Sequence, residues 1–326
     1  MFFAICGIFF AIFLLSSLYS LLSSATNIDE NTTLTYLPDA NGVRDGISLN
    51  SPVILQLNVS GVIGEPKVLD TEVVQNILLD SRDGVLKDGR VKGILLYMNT
   101  PGGTVVDSDN IYRMLMQYKQ RFKVPIYAYV DGLCASGGMY IACAADQIYA
   151  GPASIVGSVG VVIGPFFNIY DTLTKIGVQT RTLTQGLDKD MLNPVRPWKE
   201  GEDASLKAVT AAFYNQFVDL VASSRPRIDK TRLVQEYGAR IFDGAAAQEL
   251  GYVDFAHASR DDALLALLQA ANIDPAKPYQ VVQLEPKNPL LSSLFSESPL
   301  ITGKIEHTLD VGAPKIRDQF AYLYQP

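Results

Sequence analysis

Between about residues 53 and 183 the chain alternates short, largely apolar runs with helix-like stretches, and this alternation restricts the possible folds. Val91–Met98 is nearly continuous in apolar residues and is bounded by turn residues, as in a strand buried on both faces. Further strands are predicted at 53–59, 125–130, 148–150, 159–163 and 178–183, and helices at 71–81, 106–122, 136–145 and 166–175. Such alternation predicts βαβ units and an α/β fold with a largely parallel sheet.

The second half of the chain is predicted to be helical. A stripe of apolar residues recurs at spacings of three and four on a long helix from about Glu200 to Ser223. The stripe consists of Leu206, Val209, Phe213, Phe217 and Leu220. It is typical of a core or subunit contact. After Asn272 the pattern dissolves into a tail rich in Pro and Ser, to which no structure is assigned.

The N-terminus predicts a membrane segment. Residues 2–22 are almost entirely apolar or small, and no charged side chain precedes Asp29. A helix of about 20 such residues spans roughly 30 Å, the thickness of a bilayer core. We therefore expect an uncleaved, single-pass anchor with the bulk of the chain exported. The alternative is a signal peptide cleaved near Ser23-Ser24-Ala25, where small residues suit a signal peptidase.

These patterns divide the chain into an anchor (1–25), a linker (26–51), a catalytic domain (52–272) and a tail (273–326). The 27 basic and 34 acidic residues give a net charge of −7, which disfavours nucleic-acid binding. Three cysteines and two histidines supply neither a disulfide framework nor a histidine-rich metal site. We expect no cofactor and no metal.

Two glycine-bearing turns follow successive buried strands, Asn99–Gly103 and Asp131–Gly138. Paired glycines at a strand-to-helix junction allow a tight turn that exposes backbone N–H groups, as an oxyanion site requires. Each turn alone is also consistent with ordinary structure, and Ser136 alone with a helix N-cap. Together they gain weight, because active sites collect at the carboxyl ends of parallel strands.

A serine nucleophile needs a base, because an unassisted hydroxyl is almost wholly protonated at neutral pH. Both histidines, His257 and His307, lie outside the strand-rich half, which favours a lysine kept neutral by burial. The residues alone do not choose among Lys119, Lys123, Lys175, Lys189 and Lys199. For Lys189, the flanking acids Asp188 and Asp190 would favour the charged amine and oppose the role.

Four ordered segments resemble the signal peptide peptidase A (SppA) type of membrane serine peptidase. They are Asn99–Gly103, Ala135–Ala142, Gly157–Val161 and Lys189-Asp190, within a match from roughly Val53 to Asp254. The resemblance implies a ClpP/crotonase-like fold and an extracytoplasmic domain on a bacterial cytoplasmic membrane. It further implies a homo-oligomer, an octamer, in which the lysine reaches the serine of a neighbouring subunit.

Carried over by position, the resemblance makes Ser136 the nucleophile and Lys189 the general base of a Ser-Lys dyad. Ser158 matches a serine that orients the lysine, and Gly103 and Gly137 match the oxyanion-hole donors. Cys134 and Met139 depart from the family pattern without removing a catalytic group. The substrates implied are signal peptides and other extended hydrophobic peptides. Two alternatives remain open, a crotonase-like acyl-CoA enzyme and a non-catalytic membrane scaffold of the same fold.

Overall fold

The computed structural model describes residues 32–44 and 50–286, and the backbone of residues 321–323. The predicted anchor lies outside these residues, and within them no helix is long and apolar enough to cross a bilayer. The strands are β1 (Thr32–Leu37), β2 (Val53–Ser60), β3 (Val91–Thr100), β4 (Gly102–Thr104), β5 (Ile126–Ala135), β6 (Gln147–Ala150), β7 (Ile155–Gly157), β8 (Ile241–Asp243), β9 (Gln280–Pro286) and β10 (Ala321–Leu323).

One mixed sheet organises the described residues, in the order β1-β9-β2-β3-β5-β7-β8 with β6 also beside β5. Its centre, from β9 through β2 and β3 to β5, is parallel, and β6 and β7 run parallel to β5. Among the described strands of this sheet, only the outermost pairs, β1 with β9 and β7 with β8, are antiparallel. The predicted α/β class with a largely parallel sheet is confirmed.

Helices cover both faces of this sheet. They are α1 (Thr71–Asp80), α2 (Val105–Phe122), α3 (Gly137–Ala142), α4 (Tyr170–Lys175), α5 (Ala204–Ser224), α6 (Lys230–Arg232, continued by a π turn Leu233–Tyr237), α7 (Gly244–Leu250) and α8 (Arg260–Ala270), with a 3₁₀ turn at Gly84–Leu86. On one face α1, α2, α3 and α5 pack against the sheet around Leu115 and Phe217. On the other face α8 packs Leu264 and Leu267 against Ile54 and Leu95.

Two predicted strands are wrong. Residues 159–163 and 178–183 do not form strands, and the strand of that region is Ile155–Gly157. Val178 and Leu183 are 46% and 82% exposed, so neither apolar side chain of the run 178–183 is buried against the sheet. We call residues 159–203 the arm; apart from α4 and isolated turns it has little regular structure.

The sheet also extends beyond the range 52–272 predicted for the catalytic domain. Strand β9 comes from the segment predicted as a tail, and it pairs in parallel with β2. Strand β1 comes from the predicted linker and pairs with β9 along its whole length. Both are therefore structural strands of the same sheet.

Candidate active site

Ser136 lies at the turn between β5 and α3, at the carboxyl end of the sheet. Its backbone has φ 55° and ψ −116°, a conformation that a non-glycine residue adopts only where the surroundings enforce it. The Ser136 N–H donates to Gly157 O at 2.9 Å, which ties this turn to the end of β7. The residue is 1% exposed, and its Oγ is buried with no hydrogen-bond partner among the described residues.

Gly103 and Gly137 meet beside this serine, as the motif positions predict. A Cβ added to Gly137 would lie 3.2 Å from Gly103 N and 2.4 Å from Ser108 Oγ, so the two glycine backbones are in close contact. A Cβ on Gly103 would lie 1.8 Å from Ile63 O. Because neither position has room for a side chain, both backbones approach the serine turn as only glycine allows.

Two residues that pack against Gly103 and Gly137, Ile63 and Ser108, were not singled out in the sequence analysis. Ile63 brackets β4, with its N–H donating to Gly102 O and its O accepting from Thr104 N, both at 2.9 Å. Ser108 is fully buried and donates from Oγ to Thr104 O at 2.7 Å. These contacts fix Gly103 between two bonded neighbours. No local sequence pattern marks the bonds of Ile63, because they join segments about 40 residues apart.

Ser158 follows β7 directly and is the neighbour of Ser136 in register. The parallel pairing of β5 with β7 sets Ala135 opposite Gly157, so the next residues of the two strands are Ser136 and Ser158. Ser158 is 5% exposed, has φ 57°, and donates its N–H to Arg240 O at 2.7 Å. The structure therefore brings together Ser136, Ser158, Gly103 and Gly137 within one chain.

Lys189 does not join this group within the single chain. It lies in a turn of the arm, where its N–H donates to Gly186 O at 3.4 Å, and its side chain is exposed. It lines an open cavity together with residues 182–185 and 190–194, none of which belongs to the serine turn. Among the described residues Ser136 Oγ has no hydrogen-bond partner, Lys189 included.

The other candidate lysines are placed no better for the role. Lys119 forms an ion pair with Asp146 at 2.6 Å and donates to Ala144 O at 3.3 Å, so its amine is held at the far end of α2. Lys123 is the C-cap of α2, and Lys175 lies in the last turn of α4. Lys199 is exposed on the arm. None is hydrogen-bonded to Ser136 Oγ.

The two cysteines near the site are buried, unreactive thiols. Cys134, two residues before Ser136, and Cys143 are both buried and free. Burial raises the pKa of the Cys143 thiol to about 12 and raises the pKa of Cys134 as well. Within residues 32–44 and 50–286, no group of three or more His, Cys, Asp or Glu side chains is arranged to hold a metal ion.

An extended segment of the chain lies against the glycine-bearing strand. Backbone residues 321–323 form β10, which pairs antiparallel with β4 and sets residue 322 opposite Gly103. The same segment also lies beside α2 and α3, the helices that follow the two glycine turns. The edge of β4 is therefore paired with an extended segment of the same chain.

Comparison with known proteins gives a consistent result. The sequence profile of Peptidase family S49 matches residues 118–274, which include Ser136, Ser158 and Lys189. A protein of Synechocystis sp., provisionally named a protease, is 34% identical over 236 residues that make up 70% of this chain and 82% of the relative. The chain belongs to peptidase family S49.

Other relatives are matched over less than two thirds of their own length. A protein of Enterococcus faecium, provisionally named signal peptide peptidase SppA, is 34% identical over 62% of this chain and 59% of its own length. Among solved structures, a ClpP1 mutant from Listeria monocytogenes is similar with a TM-score of 0.41 at 15% identity, covering 66% of this chain and 96% of that one.

Proposed function

We propose that this S49 chain is a serine endopeptidase in which Ser136 is the nucleophile. The observation that carries the proposal is the Ser136 hydroxyl, which is buried, has no partner among the described residues and sits on a turn with positive φ beside two glycine backbones. A buried hydroxyl without a hydrogen bond is costly to maintain, and such costs concentrate at functional sites. Membership of a peptidase family supports the same proposal.

Gly103 and Gly137 supply the oxyanion hole in this proposal. Their backbone N–H groups stabilise the negative charge that develops on the carbonyl oxygen of the scissile bond. The close approach of Gly137 to Gly103 N supports a common target for the two donors. Removal of one such donor typically costs about 100- to 1000-fold in kcat.

Lys189 of a neighbouring copy is the proposed base. The exposed arm that carries it supports this assignment, since Phe167, Leu183 and Leu187 are 71%, 82% and 95% exposed. Several large apolar side chains exposed on one segment suit contact with another subunit. A homo-oligomer would bring the lysine of one copy to the serine of the next and exclude water from both.

The reaction then proceeds in two halves. The neutral amine of Lys189 takes the Ser136 Oγ proton as Oγ attacks the scissile carbonyl carbon. The resulting ammonium returns its proton to the leaving amine as the C–N bond breaks, which leaves an acyl-serine. Water then gives a proton to the same amine and attacks the ester, and the proton passes to Ser136 Oγ as the acid product leaves. Ser158 orients the amine during both halves.

The proposed substrates are extended hydrophobic peptides, including signal peptides, at the outer face of a bacterial cytoplasmic membrane. The pairing of residues 321–323 with β4 supports binding of substrate as an antiparallel strand on the same edge. The apolar run at residues 2–22 supports an anchor that keeps the site near the membrane.

Cleavage of a hydrophobic peptide library by the full chain tests this function. Ser136→Ala should abolish cleavage, because the variant lacks the attacking oxygen. Ser81→Ala is the matched control, since Ser81 is also a buried serine but bonds Tyr118 Oη at 2.8 Å far from the site. Full activity in Ser136→Ala, or equal loss in both variants, would reject the assignment.

Mixing two inactive variants tests the shared dyad. Ser136→Ala and Lys189→Ala proteins, dissociated and reassembled together, should regain activity, because some sites then combine an intact serine with an intact lysine of another copy. Each variant reassembled alone should stay inactive. A mixture as inactive as its components would contradict a lysine supplied by the neighbour.

A further inference from the structure

Arg196 holds the turn that carries the proposed base. Its Nε donates to Asp190 Oδ2 at 2.8 Å, and its Nη2 donates to the backbone Asp190 O at 2.7 Å. The same Nη2 donates to Glu202 Oε2 at 2.6 Å, and Nη1 donates to Pro197 O at 2.8 Å. One guanidinium therefore binds both the side chain and the main chain of the residue directly after Lys189.

The acidic anchor of this cluster is well buried. The Glu202 side chain is 3% exposed, whereas those of Asp190 and Arg196 are each 20% exposed. Glu202 lies two residues before α5, whose buried Phe217 and Val221 join the main core. The cluster thus ties the Lys189 turn to a helix that packs on the sheet.

The arm around the cluster is braced by further hydrogen bonds. Trp198 Nε1 donates to Asn193 O at 3.0 Å, and Asn193 Nδ2 donates to Thr182 Oγ1 at 3.1 Å. Since the arm has little regular structure, such side-chain contacts set the position of the turn. Of these contacts, those of Arg196 reach the residue next to Lys189 itself, because they bind Asp190.

The charges in the cluster bear on the base as well. A free carboxylate beside an amine favours the ammonium form, which cannot accept a proton. Asp190 is next to Lys189, but its carboxylate is paired with Arg196. The other charged groups near Asp190 are Glu202, which shares the same guanidinium, and Lys199, which is also cationic. Asp188 precedes Lys189 in the same turn.

We propose that Arg196 is a positioning residue for Lys189: it fixes the turn that presents the amine and cancels the negative charge of Asp190. The proposal rests on Lys189 being the base. It assigns no contact between Arg196 and substrate. A purely structural residue would not act through its charge. Removing the charge of Arg196 should shift the pH profile of cleavage in one direction, and removing the charge of Asp190 should shift it in the other.

The test is the pH profile of kcat/KM for peptide cleavage by the assembled full chain. In Arg196→Gln, the unpaired Asp190 carboxylate should shift the acidic limb of the profile to higher pH by about 0.5 to 1 pH unit. Displacement of the Lys189 turn in the same variant should lower kcat by roughly 10- to 100-fold. In Asp190→Asn, the cationic guanidinium is less neutralised, so the acidic limb should shift to lower pH. Both shifts should shrink in high salt, because the groups are partly exposed.

Two more variants separate charge from geometry. Arg196→Lys keeps the charge but loses the planar fork, so the limb should stay near its wild-type position while kcat falls. Arg232→Gln is the matched control, because it removes an exposed arginine whose Nε pairs with Glu236 at 2.9 Å outside the arm. It should leave the profile unchanged.

Opposite shifts in Arg196→Gln and Asp190→Asn support the proposal, and an unshifted limb in both overturns it. If Arg196→Gln does not fold, Asp190→Asn still reports the shift of the acidic limb, and Arg196→Lys still reports the fall in kcat. Failure of the proposed function is recognised separately, since it would appear as wild-type activity in Lys189→Ala or Ser136→Ala.

Discussion

The backbone N–H of Ser136 donates to Gly157 O at 2.9 Å, and this bond sets the serine turn one residue away from Ser158. It continues the parallel pairing of β5 and β7 to the residue that follows β5. The nucleophile proposed here is therefore positioned by the sheet itself and not by a flexible loop.

Replacing Ser158 with Ala should lower kcat by about 10- to 100-fold with little change in thermal stability. The hydroxyl is proposed to orient the lysine amine, and loss of one positioning hydrogen bond misplaces the base. Steady-state kinetics with a hydrophobic peptide, alongside a thermal melt, measures both quantities. Wild-type kcat in Ser158→Ala would remove Ser158 from the site.

Replacing Gly103 with Ala should reduce kcat by at least about 100-fold. The added methyl would lie 1.8 Å from Ile63 O, so β4 must shift and carry its N–H out of the site. Gly89→Ala is the control, since a methyl there meets nothing within 4 Å and φ is +69°. That variant should lose about 1 kcal/mol of stability and no activity. Equal kcat values in the two variants would contradict the oxyanion role.

Thiol reagents should not inactivate the enzyme at pH 8. Burial raises the pKa of Cys143 to about 12 and raises the pKa of Cys134 too, so both thiols stay protonated and unreactive. In a Cys6→Ala variant, the remaining two cysteines should label only after unfolding, as measured by mass spectrometry. Rapid labelling of native Cys134 with loss of activity would show an accessible thiol at the site.

Removing residues 321–326 should lower KM for peptide substrates and leave kcat nearly unchanged. Residues 321–323 pair with the edge of β4 on which substrate is proposed to bind, and the two cannot occupy it together. Progress curves for the truncated and full chains give both constants. An unchanged KM would mean that substrate binds elsewhere.

Acid should release the Arg196 cluster. Hydrogen bonding to Arg196 lowers the pKa of Asp190 and of Glu202 below their ordinary values near 4. A lowered pKa contributes stability above the unfolded-state value, and this contribution is lost as pH falls through the folded-state value. The difference in melting temperature between wild type and Arg196→Gln should thus be constant above about pH 5 and shrink below about pH 4. A difference that grew on acidification would have the wrong sign.

The central strands and the glycine turns could be predicted from the sequence because burial leaves a continuous apolar run, as at Val91–Met98. The strand predicted at 178–183 had no such run: four polar residues separate Val178 from Leu183, and both apolar side chains are exposed on the arm. The strands β1 and β9 were missed because polar residues interrupt their apolar residues and both lie in the segments assigned to the linker and the tail. Only the fold shows that they meet.

Some residues of the candidate site could be located from sequence motifs, and others could not. Motif order located Ser136, Ser158, Gly103 and Gly137, and the structure brings these four together. Lys189 was named from a motif, and the single chain leaves it apart from Ser136. The Arg196 contacts were missed, because Asp190, Arg196 and Glu202 are six residues apart in sequence and this spacing matches neither a helix nor a strand period. Pairing of charges across an irregular loop is not encoded in any local periodicity.

Trapping the acyl intermediate identifies the nucleophile of the reaction. During turnover of a slowly hydrolysed peptide ester, intact-protein mass spectrometry should reveal a mass increase equal to the acyl group, and peptide mapping should locate it on Ser136. The adduct should be absent from Ser136→Ala and present in Ser81→Ala. An adduct on another residue, turnover by the wild type without an adduct, or turnover that persists in Ser136→Ala would each rule out Ser136 as the nucleophile.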